Sequence, residues 1–278
     1  MLEYIIDFLA SGFVYPGITA GQLLLGISLG IIFGAIWFTA YWTPILMIPR
    51  AWLILASGAF ISWIAVSLIQ IPLQLWAGQV LIYFLDQESL SRWILLAAIP
   101  QILFSGLVQE GAKLIPVIVY WWRNNMSVSP RMGLITGAVA GLGLGVFEAI
   151  WAHNRILSAG WSWELVRSEG LIMLAGFWER FFTVALHIAM SAIAGYGLAK
   201  GKGWKFYFLA AAIHSLANYG VVLIQAGIFT TIHVEIYAAV IAVLATWYAL
   251  RLRWKGTTDI YYAEYKFETE YADDNEGP

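Results

Sequence analysis

Residues 171–199 read LIMLAGFWERFFTVALHIAMSAIAGYGLA, an apolar run that contains three ionisable residues, Glu179, Arg180 and His187. About 20 predominantly apolar residues suffice for a helix that crosses a bilayer, and this run is longer. An ionisable side chain in hydrocarbon costs several kcal/mol, so such residues usually face the protein interior and indicate function. The stretch therefore predicts a transmembrane helix that carries part of a buried polar site.

The composition of the whole chain extends this prediction. Hydrophobic residues make up 61% and charged residues 12% of the sequence, whereas soluble domains contain about 25% charged residues. We therefore expect an all-α, polytopic bundle of transmembrane helices in a lipid bilayer. The absence of cysteine excludes disulfides, thiolate metal sites and a cysteine nucleophile, and the net charge of −2 argues against a nucleic-acid partner.

Polar loops divide the chain into about seven apolar runs. Their approximate bounds are 19–49, 51–85, 93–122, 132–151, 171–199, 206–228 and 236–250. The second run is too long for one straight span and contains Pro72, so it predicts either one long kinked helix or a span with a re-entrant piece, and eight crossings remain open. In the fourth run a glycine recurs every four residues, at 133, 137, 141 and 145, which predicts close approach of a neighbouring helix.

The chain divides into one transmembrane helical domain and a short tail. The domain covers residues 1–253, with a polar core contributed by about 92–228. Residues 254–278 are acidic and rich in tyrosine, and they predict a disordered cytoplasmic tail.

Lysine and arginine residues are distributed unequally between the two sides. If the run 51–85 crosses once, one side carries Arg50, Arg123, Arg131, Lys200, Lys202, Lys205, Arg251, Arg253 and Lys255. The other side carries Arg92, Arg155 and Arg167. The positive-inside rule then predicts a multi-pass protein of the cell membrane with its N-terminus outside and its C-terminus in the cytoplasm.

Polar residues recur inside four of the predicted spans. They are Glu110 and Lys113, Glu148, the group Glu179, Arg180 and His187, and finally His214 with Asn218. Glu110 and His187 each precede a basic loop residue by 13 positions, and His214 follows one by 9. At about 1.5 Å per residue, these three lie roughly 14–20 Å from the basic side. One carboxylate and two imidazoles are therefore expected in the same layer of the membrane.

Each of these groups also has a purely structural interpretation. Glu110 and Lys113 are three residues apart and could form an ion pair within one helix. Glu148 and Arg180 have similar depths, which predicts an orienting interhelical ion pair. His214 and Asn218 share a helix face and could hold neighbouring helices together. The common depth of Glu110 and the two histidines favours a site over these separate roles.

Four segments resemble a known family of membrane enzymes. They are QEGAK (109–113), GVFEAI (145–150), WERFFTVALHIAMSAI (178–193) and HSLAN (214–218). This pattern resembles YhfC-type and PrsW-type intramembrane proteases, members of the superfamily that includes the CAAX prenyl-protease. The resemblance covers about residues 109–219. It implies hydrolysis of a peptide bond in a membrane-anchored protein or peptide, in or near the membrane.

The resemblance also implies roles for individual residues. Glu110 would be the general base, His187 would bind and polarise water, and His214 with Asn218 would line the oxyanion site. Lys113 matches the basic residue of the first motif. The supporting residues would be Lys113, Glu148, Glu179 and Arg180.

One position departs from the pattern, because Gln109 stands where the family has a first glutamate. Either Glu110 suffices with the histidines, Glu148 supplies the second carboxylate, or catalysis has been lost. We therefore keep three interpretations: a glutamic-type intramembrane peptidase, a transporter, and an inactive relative that binds a membrane protein. The substrate and the oligomeric state stay open.

The sequence favours a site without a cofactor. Two histidines and a glutamate can form a catalytic zinc site, so zinc is the alternative. However, the chain contains no H-E-x-x-H motif, and the ligands would come from three separate helices.

Overall fold

The computed structural model describes the backbone of residues 2–41 and 44–273, and the side chains of residues 2–41 and 45–255. The regular secondary structure of these described residues is helical, and none of them forms a strand. In chain order the helices are α1 Leu2–Ser11, α2 Ala20–Phe38, α3 Pro49–Ala65, α4 Ile71–Phe84, α5 Gln87–Arg92, α6 Ile94–Ala97, α7 Ile99–Arg123, α8 Pro130–Ser158, α9 Trp163–Glu169, α10 Ala175–Ala199, α11 Gly203–Gln225 and α12 Thr231–Asp273.

Local sequence explains where the principal helices begin. At the start of α2 the hydroxyl of Thr19 accepts from the backbone N–H of Gln22, and the Gln22 side chain accepts from the backbone N–H of Thr19, which forms a capping box. At the start of α8 the hydroxyl of Ser129 accepts from the N–H of Met132, and Pro130 occupies the first turn, where its missing N–H costs nothing.

Seven helical segments of the described residues are long and apolar enough to cross a membrane. They are Ala20–Tyr41, Pro49–Phe84, Ile94–Arg123, Pro130–Ser158, Leu171–Ala199, Gly203–Gln225 and Thr231–Lys255. The predicted all-α, polytopic bundle is therefore confirmed.

The long second segment is one helical stretch. A π-helical turn at Val66–Gln70 joins α3 to α4, and Pro72 lies in the first turn of α4. The π turn changes the helical phase without ending the helix. The structure thus follows the first of the two interpretations of residues 51–85, the long irregular helix.

Successive crossings place the loops alternately on two faces of the membrane. We call the face of residues 85–93 and 159–170 the α9 face, because it carries α9. The opposite face, at residues 124–129 and 200–202, is the basic face.

Helices α8 and α10 form the centre of the bundle, with α2, α3, α7, α11 and α12 around them. Two glycines of α8 make the central contact possible. A Cβ atom on Gly137 would lie 2.1 Å from the carbonyl oxygen of Ser191, and one on Gly141 would lie 2.2 Å from that of His187. The predicted close approach along the glycine repeat is therefore present, and its partner is α10.

The final helix continues beyond the predicted end of the membrane domain. Its backbone is helical as far as Asp273, but side chains after Lys255 lie outside the described part. The division at residues 253/254 and the disordered tail therefore stay predictions.

Candidate active site

Three helices bring four ionisable side chains together in the centre of the bundle. Glu110 and Lys113 lie on α7, His187 on α10 and His214 on α11, and all four are buried. The ligand atoms of Glu110, His187 and His214 lie within 4.8 Å of one another. The carboxylate and the two imidazoles thus meet, as their common depth in the sequence suggested.

Glu110 is the hub of this cluster. Its Oε1 atom accepts from Lys113 Nζ at 2.6 Å and from His214 Nδ1 at 2.6 Å. Lys113 Nζ also lies 3.1 Å from His187 Nδ1. Among the described residues, Glu110 Oε2 has no hydrogen-bond partner. The buried carboxylate therefore keeps one oxygen for a molecule that enters the site.

Small residues allow the helices to approach closely enough for these contacts. A Cβ atom on Gly106 of α7 would lie 2.3 Å from the carbonyl oxygen of Ala211 and 2.3 Å from Ser215 Oγ, both on α11. Gly141 of α8 has the same role beside His187, as described above. The glycines therefore let the helix backbones approach closely, and this approach brings the side chains of the cluster into contact.

A second group of charges contacts the other edge of the His187 ring. Glu148 Oε2 on α8 lies 2.8 Å from His187 Nε2, and Glu148 Oε1 accepts from Arg180 at 2.9 Å. Arg180 also donates to Glu179. The predicted ion pair between Glu148 and Arg180 is present. It also holds the Glu148 carboxylate against His187, a contact that the sequence did not reveal.

These contacts favour one tautomer of each imidazole. A carboxylate only accepts hydrogen bonds, so Glu148 places the His187 proton on Nε2 and leaves a lone pair on Nδ1, towards Lys113. Glu110 in turn places the His214 proton on Nδ1. His187 is thus held between a carboxylate on one side and an ammonium group on the other.

Asn218 lies one helical turn from His214, and its side chain bonds to a neighbouring helix. Its Nδ2 donates to Ser105 Oγ on α7 at 2.7 Å. This contact matches the structural interpretation, in which the pair on α11 holds helices together. The oxyanion role of Asn218 stays a prediction.

The side chain of Gln109 bonds to a residue outside the cluster. Its Nε2 donates to Gln70 Oε1 at 3.1 Å, and Gln70 closes the π-helical turn between α3 and α4. The carboxylate that joins the cluster in addition to Glu110 is therefore Glu148, through His187.

Two further residues near the site were not identified from the sequence. Gln70 gave no signal, because only the π turn brings it to Gln109. Glu235 of α12 lies close enough to Glu179 and Arg180 to interact with them electrostatically. It falls one residue before the predicted seventh span, so its position inside the bundle was missed.

The residue types fit a metal ion. A glutamate with two histidines is a catalytic zinc ligand set, the three are within reach of one ion, and Glu110 Oε2 is unpaired among the described residues. Lys113 Nζ bonds to Glu110 and contacts His187, so a metal there would have to share the site with a cation. The predicted absence of a cofactor is not confirmed.

Comparison with known proteins identifies the family. No curated protein and no solved structure gives a significant match. The sequence profile described as PrsW family intramembrane metalloprotease matches residues 33–247, which is most of the chain. The relations to YhfC-type proteins and to the wider CAAX-protease superfamily stay predictions. By the family match, this chain belongs to the PrsW family of intramembrane metalloproteases.

Proposed function

We propose that this protein hydrolyses a peptide bond of a membrane-anchored protein or peptide, and that the cluster of Glu110, His187 and His214 is its active site. The supporting observation is the meeting of these three side chains, from three helices, in one buried site. Family membership supports intramembrane proteolysis as the reaction.

Hydrolysis of an amide requires a base for water, donors for the developing oxyanion and an acid for the leaving nitrogen. In the proposed reaction Glu110 Oε2 takes a proton from water while the water oxygen bonds to the carbonyl carbon. As the C–N bond breaks, Glu110 returns that proton to the nitrogen. Lys113 and His214 hold Oε1 in place, so that Oε2 points to the entering water.

His187 would bind the water that Glu110 deprotonates. Glu148 holds Nε2, so the water would have to take the Nδ1 lone pair that Lys113 Nζ contacts at 3.1 Å. Arg180 with Glu179 fixes Glu148 in turn. If Glu110, His187 and His214 instead held a metal ion, Glu110 would be a ligand rather than the base, and the ion would supply Lewis-acid activation of water and of the scissile carbonyl.

His214 and Asn218 would line the oxyanion site, with Asn218 as the donor, because the His214 proton lies on Nδ1 and bonds to Glu110. The amide of Asn218 bonds to Ser105, so it would have to turn from that hydroxyl to the oxyanion. If it does so, Asn218→Ala lowers the cleavage rate by about 10²–10³-fold, the usual effect of removing one oxyanion donor.

The orientation in the membrane is also part of the proposal. We infer that the protein resides in the cell membrane with the basic face in the cytoplasm, because most lysine and arginine residues outside the spans lie there. The N-terminus and the α9 face would then be outside.

Reconstitution tests the proposed reaction. The purified protein in liposomes is incubated with a library of membrane-anchored peptides, and fragments are identified by mass spectrometry. Glu110→Gln and His187→Ala should each lower cleavage by at least about 10²-fold. Glu88→Gln is the matched control, because Glu88 is exposed on α5 and pairs only with Arg92 among the described residues.

The outcomes separate the three interpretations. Fragments from the wild type and from Glu88→Gln, but not from the two site variants under conditions where unfolding measurements show both to be folded, support the proposal. Cleavage that survives both site substitutions contradicts the assignment of residues. A wild type without fragments on any peptide means either that the library lacks the substrate or that the protein is a transporter or an inactive relative. Loss of cleavage after removal of metal by a chelator, with recovery on adding zinc, would establish the metal.

A further inference from the structure

We propose that water reaches the active site from the α9 face, along a continuous polar chain that runs between α8 and α10. This inference rests on the proposed hydrolysis, because water is the second substrate of that reaction. The chain begins at Glu179, passes through Arg180 and Glu148 to His187, and ends at the Glu110 cluster.

The chain is continuous at hydrogen-bonding distance. Arg180 bonds to Glu179 and lies 2.9 Å from Glu148, and Glu148 lies 2.8 Å from His187. His187 then contacts Lys113 at 3.1 Å, and Lys113 bonds to Glu110. Polar atoms therefore link the start of α10 to the buried carboxylate without an apolar gap.

The three residues nearer the α9 face are more exposed than those at the buried end of the chain. The exposed fraction of the side chain is 37% at Glu179, 13% at Arg180 and 25% at Glu148, but 5% at His187 and 0% at Glu110. A carboxylate with a quarter of its surface open to lipid tails would be very costly. The opening beside Glu148 and Glu179 is therefore best occupied by water.

The depth of these residues places the opening on the α9 face. The membrane-spanning segment that contains α10 begins at Leu171. Measured along the segment from Leu171, Glu179 lies at about 12 Å and His187 at about 24 Å. Glu148 lies about 15 Å from Ser158, where α8 ends on the same face. The polar chain thus extends from Glu179, nearer the α9 face, to the active site.

A cavity lies near the start of the chain, between the start of α10 and the start of α12. It has a volume of about 410 Å³, and Glu235 is the one ionisable residue among the described residues in its wall, the others being apolar. Because one water in the liquid takes about 30 Å³, several waters fit there. Glu235 supplies a carboxyl group near Glu179 and Arg180.

The opposite side of the site is apolar. A cavity of about 490 Å³ extends from Gly111, next to Glu110, towards the basic face at Gly201 and Trp204. The described residues that line it include no charged side chain. The Tyr207 hydroxyl in its wall already donates to the carbonyl oxygen of Leu107 at 2.9 Å. Both cavities are lined mainly by apolar residues, and only the α9 side has the charged chain beside it, so we expect water to enter on that side.

Cysteine labelling tests the route directly, because the natural chain contains no cysteine. Thr183 lies on α10 between Arg180 and His187, and its hydroxyl bonds to the carbonyl oxygen of Arg180. We would introduce Thr183→Cys or, as a second route variant, Glu179→Cys. A charged, membrane-impermeant methanethiosulfonate is then added from either side of oriented vesicles. Glu88→Cys reports the α9 face and Asn125→Cys the basic face.

Two further variants serve as matched controls. Ser191→Cys is buried on the same helix, one turn beyond His187 towards the basic face. Leu216→Cys is exposed in the middle of α11 but faces lipid. Only a hydrated thiolate reacts readily, so we expect both route variants to be labelled from the α9 face at least about tenfold faster than either control.

Two results would overturn the proposal. One is labelling of Thr183→Cys from the basic face as fast as from the α9 face. The other is labelling of both route variants no faster than that of Leu216→Cys. Labelling is measured without any cleavage, so failure of the water route is distinct from failure of the proposed proteolysis.

Discussion

The molecule contains two glutamate–cation pairs on opposite sides of one histidine, and they differ in almost every respect. Glu110 and Lys113 form their pair within α7, and both side chains are fully buried. Glu148 and Arg180 form theirs between α8 and α10, and both remain partly open. Lys113 contacts Nδ1 of His187 and Glu148 contacts Nε2. The comparison suggests that the closed pair performs chemistry while the open pair orients the histidine and admits water.

The largest expected effect is on stability when the closed pair is split. Glu110→Gln or Lys113→Met leaves one buried charge without its partner, which should lower the free energy of unfolding by about 3–5 kcal/mol. The double variant should lose much less than the sum, because both charges are gone. The corresponding cycle of Glu148→Gln and Arg180→Met should give a smaller coupling, since both side chains are partly exposed and each keeps a second partner.

Denaturant unfolding in detergent micelles measures both cycles. If the open pair shows a coupling energy as large as that of the closed pair, the distinction between a buried and a hydrated pair is wrong. The exposed pair of Glu88 and Arg92 serves as the reference for a surface interaction.

The next effect concerns catalysis and sharpens the role of the open pair. Glu148→Gln keeps the shape of the side chain but weakens its hold on the His187 ring, so we expect cleavage to fall by about 10–100-fold. The fall should appear in kcat with KM little changed, because Glu148 acts through His187. Glu148→Asp should recover part of the loss. Equal losses in kcat/KM for Gln and Asp, carried by KM, would indicate substrate binding instead.

The third prediction concerns stability and cleavage when His187 is displaced relative to both pairs. Gly141→Ala adds a Cβ atom 2.2 Å from the carbonyl oxygen of His187, so α8 and α10 must separate. Such overpacking typically costs about 1–3 kcal/mol, and cleavage should fall as well. Gly21→Ala is the matched control, because nothing lies within 4 Å of its added Cβ atom. Thermal unfolding and cleavage are measured together. An unchanged Gly141→Ala protein would show that the helices tolerate separation.

The sequence predicted depth well because rise per residue is constant along a helix. That is why Glu110, His187 and His214 were expected in one layer and do meet. The direction in which each side chain points around its helix was much harder to predict. It depends on interhelical packing and on local phase, which the π turn at Val66–Gln70 changes. For this reason neither the contact of Gln109 with Gln70 nor that of Glu148 with His187 could be foreseen.

The smallest expected effect tests whether Asn218 on α11 has a structural or a catalytic role. Ser105→Ala removes the partner of Asn218 without altering the Glu110 cluster, so it should cost about 0.6 kcal/mol, a typical value for interhelical hydrogen bonds in membranes. Cleavage should change by no more than about threefold, the rate equivalent of that energy. Ser168→Ala on the exposed helix α9 controls for the substitution itself. If Ser105→Ala instead lowers cleavage as strongly as Asn218→Ala, then Asn218 acts by fixing α11 to α7, and the oxyanion must be bound by other donors.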